Sequence, residues 1–156
     1  MNKEEFLKRL DDAVNTPKLQ QLFTTLMLEN CVDMHYFEVT KGFGQLKQYV
    51  NTRDTSLLEK AIRNFDYVLD KDLKYVKAIS YYGKTIANAY YHNDDGFSNA
   101  YYWVNKLIML NLTWGTDRTG FIENLQTEAK HLKEDIRRRD LEANPIMSRW
   151  RLLTRF

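Results

Sequence analysis

The sequence predicts an all-α fold, about seven helices stacked as antiparallel hairpins, and three observations carry that expectation. Apolar residues recur at three- and four-residue spacing almost from end to end. Only 6 glycines and 2 prolines interrupt 156 residues, which favours helices over a turn-rich β-fold. No window sustains strict apolar–polar alternation, so no strand is expected. The length suits one domain with a real core, assigned to residues 1–144, followed by a basic and apolar arm over 145–156.

Phe6, Leu7, Leu10 and Val14 form the stripe of a first helix. Thr16-Pro17 starts a second, because proline at the first helical position loses no hydrogen bond there. Leu19, Leu22, Phe23, Leu26 and Met27 carry its apolar face. Further helices are expected at about 33–50, 54–69, 73–91 and 97–110. Thr116 or Asp117 caps the last, in which Phe121, Leu125, Ala129, Leu132 and Ile136 mark one side.

The chain also repeats itself at an offset of 39 residues. Phe43-Gly44 aligns with Tyr82-Gly83, Ala61 with Ala100, Phe65 with Val104 and Val68 with Leu107. Leu73 aligns with Leu112, and Tyr75 with Trp114. Packing positions match while the residues between them differ, as in a repeated helix pair. Small residues at Gly83, Ala61 and Ala100 would let neighbouring helices approach closely.

The run Ala61-x3-Phe65-x2-Val68, then Leu73, then Ile79-x2-Tyr82-Gly83-x2-Ile86 resembles the tetratricopeptide repeat, over roughly residues 37–115. The offset from Ala61 to Gly83 agrees with that family's register. Leu73 stands where the family has proline, and Ile79 where tryptophan is usual. The turns at 51–55 and 92–96 are read as about five residues longer than the standard one. The resemblance implies a short solenoid that binds a peptide on the inward face of each first helix. Carried onto this chain, that face holds Glu38, Lys41, Gln45 and Tyr49 in one copy and Lys77, Ser80, Lys84 and Asn88 in the other. Lysines among amides suit a peptide carboxylate or acidic side chains. A helical bundle of antiparallel hairpins is the alternative within the same fold class.

The stretch AYYHNDDGFSNAYYW (89–103) sets a histidine and two aspartates between aromatic pairs. Read as a calcium loop with Gly96 at the sixth position, it puts Tyr91 first, which cannot replace a carboxylate. The favoured reading is a turn, with His92 and Asn93 ending one helix, Asp94 or Asp95 helping to start the next, and Gly96 supplying the bend. Its aromatics are expected to build core and hairpin contacts, with Tyr81, Tyr91 and Tyr102 directed elsewhere. Glu128-x-x-His131 has the spacing of a di-iron motif but lacks the second copy such a site needs, and Asp33-Met-His35 has no companion cluster. There is no glycine-rich phosphate loop and no Gly-x-Ser-x-Gly elbow. No enzyme activity, metal or cofactor is therefore expected.

Cys31 has no zinc-spaced partner and cannot form an internal disulfide, which fits a reducing compartment. The residues after Met1 hold no apolar run suited to a signal peptide or membrane span. A net charge of +2 is too small to argue for nucleic acid or an anionic membrane. The expected setting is the cytoplasm.

In the arm, Asn144-Pro145 breaks the last helix, and arginines then mix with large apolar groups. An extended arm that includes Leu153 and docks on its own domain, a neighbouring subunit or another protein is expected, burying Trp150 and Phe156 while Arg149, Arg151 and Arg155 meet acidic groups or stay solvated. The expected function is a non-catalytic scaffold that binds a peptide or protein surface, with possible self-association through the arm. The alternative is a structural subunit of a larger multimer, such as a phage head–tail connector, which would place the chain in a virion. A nucleic-acid-binding module ranks below both.

Overall fold

A computed structural model describes residues 1–15, 35–70, 74–111 and 120–154, within which there are seven helices and no strand. They are α1 (Lys3–Asn15), α2 (His35–Thr52), α3 (Ser56–Tyr67), α4 (Lys74–Tyr91), α5 (Asp94–Ile108), α6 (Phe121–Ala143) and α7 (Pro145–Thr154). The all-α class holds. The helix expected over 17–27 lies outside the described residues.

Two helical hairpins form the centre. In α2 and α3, Phe43 meets Phe65 edge-on at 5.2 Å and Gln45 accepts from Asn64 at 2.7 Å. In α4 and α5, Tyr81 stacks on Trp103 at 5.7 Å while His92 meets Phe97 at 5.3 Å. As residue numbers rise on one helix they fall on its partner, so each pair is antiparallel. Phe65 is fully buried and its ring fills the space left by two absent side chains. A Cβ on Gly42 would come within 2.6 Å of that ring, and one on Gly83 would also be well inside contact distance. Gly44, which the repeat aligns with Gly83, has nothing within 4 Å. The close approach on α2 is therefore made at Gly42. Ala61 and Ala100 are both fully buried.

The turns are shorter than the sequence implies, because the helices absorb the extra residues. Only His92 and Asn93 separate α4 from α5. Asn93, rather than Asp94 or Asp95, is the cap: its side chain accepts from the Gly96 N–H at 2.7 Å. Gly96 belongs to the first turn of α5, where a Cβ would strike the Asn88 carbonyl oxygen at 2.5 Å. Both hairpins turn through a left-handed non-glycine residue, Arg53 at φ 56° and His92 at φ 54°, and these are 39 positions apart.

Every residue from Tyr82 to Tyr90 is buried, which makes α4 the central helix, packed by α1, α2, α3, α5 and α6. An open solenoid lets each repeat touch only its neighbours. Here α1 also packs against α6, so the stack closes into a bundle. Phe6 of α1 lies against His92 and Phe97, and Asp11 receives both Arg53 (3.1 and 2.6 Å) and the Tyr90 hydroxyl (2.7 Å).

Candidate functional site

The residues placed by the repeat resemblance do not form one open wall. Lys41 is exposed, and Glu38, Gln45 and Lys77 are half-buried. Tyr49, Ser80, Lys84 and Asn88 lie inside the packing. The Tyr49 ring meets Tyr90 at 4.8 Å beneath Arg53, and Asn88 donates to the Lys84 carbonyl at 2.8 Å. The Lys84 ammonium pairs with Asp66 and sits 3.7 Å above the Trp103 ring. This corrects the expectation of a peptide groove along these positions. The α4 face carrying Lys84 is covered by α3 and α5, and α1 fills the space beside Tyr90.

His92 ends α4, as expected, and its side chain also meets α1, α5 and α6. Its Nε2 accepts from the Arg139 Nε at 2.6 Å, and its ring touches Phe6 and Phe97. Burial, then the charges of Arg139 and Lys3, push its pKa below the ordinary histidine value.

The arm is corrected more sharply. Residues 145–154 are helical rather than extended. Pro145 takes the first position of α7, where its missing N–H is harmless, and Asn144 closes α6 by donating its N–H to Asp140 at 2.8 Å. Arg151, not Trp150, is the buried anchor. It is 2% exposed and lies among Asp140, which is fully buried, Asp94 and the Phe97 ring. Its Nε donates to Asp140 Oδ2 at 2.8 Å, its Nη2 to Oδ1, and its Nη1 to Asp94 Oδ1 at 3.1 Å. Paired donors on a carboxylate satisfy a charge that burial would otherwise make costly. Arg155 and Phe156 lie outside the described residues.

The opposite side of α7 faces outward. Among the described residues, nine large hydrophobic side chains are exposed, and five of them fall between Leu141 and Leu153. Ile146 (83%), Trp150 (61%) and Leu153 (80%) are spaced i, i+4, i+7, with Met147 beside them. Together with Pro145 and Arg149 they form one open, largely apolar face of α7. A concentrated apolar patch of this kind marks an interaction surface more strongly than the same residues scattered singly. Sequence spacing carried this signal, since 146, 150 and 153 share one helical face.

A second cleft, of about 410 Å³, lies between α4 and α5, lined by Tyr81, Tyr102, Asn105, Lys106, Met109 and Leu110. Lys106 sits 5.2 Å from the centre of the Tyr102 ring. Of the aromatic cluster, Tyr102 is exposed, Tyr81, Tyr91 and Trp103 are half-buried, and Tyr82, Tyr90, Phe97 and Tyr101 are core. Among the described residues no three His, Cys, Asp or Glu side chains converge as a metal site would require, and no helix is long and apolar enough to cross a membrane. His131 is exposed, and Cys31 and Asp33 lie outside the described residues. Comparison with protein-family models, curated proteins and solved structures finds no match to this chain.

Proposed function

We propose that the chain is a non-catalytic protein-binding or assembly module of the cytoplasm, and that the outer face of α7 is its docking surface. One observation carries the reading. Ile146, Met147, Trp150 and Leu153 stand exposed together on a helix whose other side is clamped by the Arg151–Asp140–Asp94 cluster. A rigid helix presenting aromatic and aliphatic anchors binds without the entropy cost of ordering a loose tail. We read α2–α3 and α4–α5 as two degenerate tetratricopeptide-like hairpins. The 39-residue spacing of Arg53 and His92 and the matched burial of Ala61 and Ala100 support this. The packing of α1 against α2, α4 and α6 fills space that an open repeat array would leave accessible.

The test compares the full chain with an Ile146→Asp/Leu153→Asp double variant, each immobilised and exposed to an extract of the cells that make it. Both substituted side chains are exposed, so thermal stability should be unchanged. The reading expects a protein retained by the parent and lost by the variant. Identical retention by both would overturn it. If the chain instead seats this face between its own copies, as a subunit of a larger particle would, the parent has the molar mass of a closed oligomer and the variant that of a monomer.

A further inference from the structure

Resting on the reading of α7 as the docking surface, we infer that its occupant is a short acidic amphipathic helix of a different protein, not a second copy of this chain. Charge is the first ground. Arg137, Arg139 and Arg151 are each paired with a carboxylate. Arg149, exposed beside the apolar face, has no ion pair among the described residues. No acidic residue follows Glu142, so two α7 faces laid together would bring arginine against arginine with no carboxylate on either helix. A partner bearing glutamates or aspartates beside its apolar seam removes that conflict.

Size is the second ground. The 10 residues of α7 span about 15 Å, so two copies packed through this face alone would fall short of the roughly 1,000 Å² that a stable dimer needs. The same patch is adequate for transient docking of a peptide helix. Shape is the third. Anchors at i, i+4 and i+7 form a seam along one helix, and a second helix packs into such a seam by the same spacing. A β-strand, whose side chains alternate every second residue, does not match it.

The test uses three helix-forming peptides with one leucine seam and flanks of glutamate, glutamine or lysine, titrated by fluorescence anisotropy against the full chain, its Arg149→Glu variant and its Leu153→Asp variant. In the parent the glutamate peptide should bind roughly three- to tenfold tighter than the glutamine peptide, with the lysine peptide weakest and the preference shrinking as salt is raised. Arg149→Glu should reverse the order, and Leu153→Asp should weaken all three. Equal affinities, or a lysine preference in the parent, would overturn the inference while leaving the docking reading intact if Leu153→Asp still weakens binding. A dimer that Leu153→Asp dissolves would overturn it in favour of a second copy. Absence of binding at millimolar peptide, or binding indifferent to Leu153→Asp, would overturn both.

Discussion

Arg151 and His92 are two buried or half-buried side chains whose charge state is tied to the packing around them. Removing one partner of a buried ion pair leaves an uncompensated charge. Arg151→Ala should therefore cost about 3 kcal/mol and lower Tm by roughly 6–12 °C, with α7 detaching first. Asp140→Leu/Arg151→Met, which removes both charges, should recover much of that loss, and thermal melts of the two variants decide it. For His92 the sign follows from a folded pKa lowered by burial, then by Arg139 and Lys3. The unfolded chain then binds the proton more readily, so the stability linked to this group is intact above pH ~6.5 and is lost as pH falls through that value towards the folded pKa. His92→Asn tolerates the left-handed backbone and removes the titrating group. Its Tm should fall less than the parent's between pH 7.5 and 5, and equal falls would contradict the assignment.

At the scale of elements, the contrast between three glycines is the clearest consequence of packing. Gly42 and Gly83 face the buried Phe65 ring from opposite helices, whereas Gly44 faces open space. Gly83→Leu should destabilise by about 1–3 kcal/mol or more through overpacking. Gly44→Ala should stabilise by about 0.5–1 kcal/mol, because an exposed helical glycine carries only its backbone entropy. Denaturant midpoints for the two variants moving in the same direction would show that the packing has been misjudged. The helices and the small residues at Ala61, Gly83 and Ala100 were legible in the sequence, because three- and four-residue spacing is a local property. The swap of Gly44 for Gly42 was not, since it depends on which side of α2 meets Phe65. The helix α7 was legible in principle. Asn144-Pro145 marks a break in the sequence pattern, yet proline at a first helical position can equally start a helix, as Thr16-Pro17 suggests.

For the whole molecule, closure matters more than the repeat. Asp11 joins Arg53 and Tyr90, residues 42 and 79 positions away, and no periodicity announces such a contact. That bond, together with the packing of α1 on α6, is what separates a closed bundle with a covered inner face from an open array with a groove. Likewise the acids that hold Arg151 come from α5 and α6, so the sequence showed a basic tail but not what anchors it. Among the described residues, the outward face of α7 and the Tyr81–Tyr102 cleft are two exposed apolar surfaces. Two tryptophans report separately on the two exposed candidates, Trp150 on α7 and Trp103 beside the Tyr81–Tyr102 cleft. The direct test is a two-dimensional NMR spectrum of the indole N–H signals, in which Trp150→Phe and Trp103→Phe assign these two and separate them from Trp114, during titration with the captured partner or the glutamate peptide. Docking on α7 predicts that the Trp150 signal moves with saturation while Trp103 stays in place; a Trp103 signal that moves while Trp150 stays would contradict it.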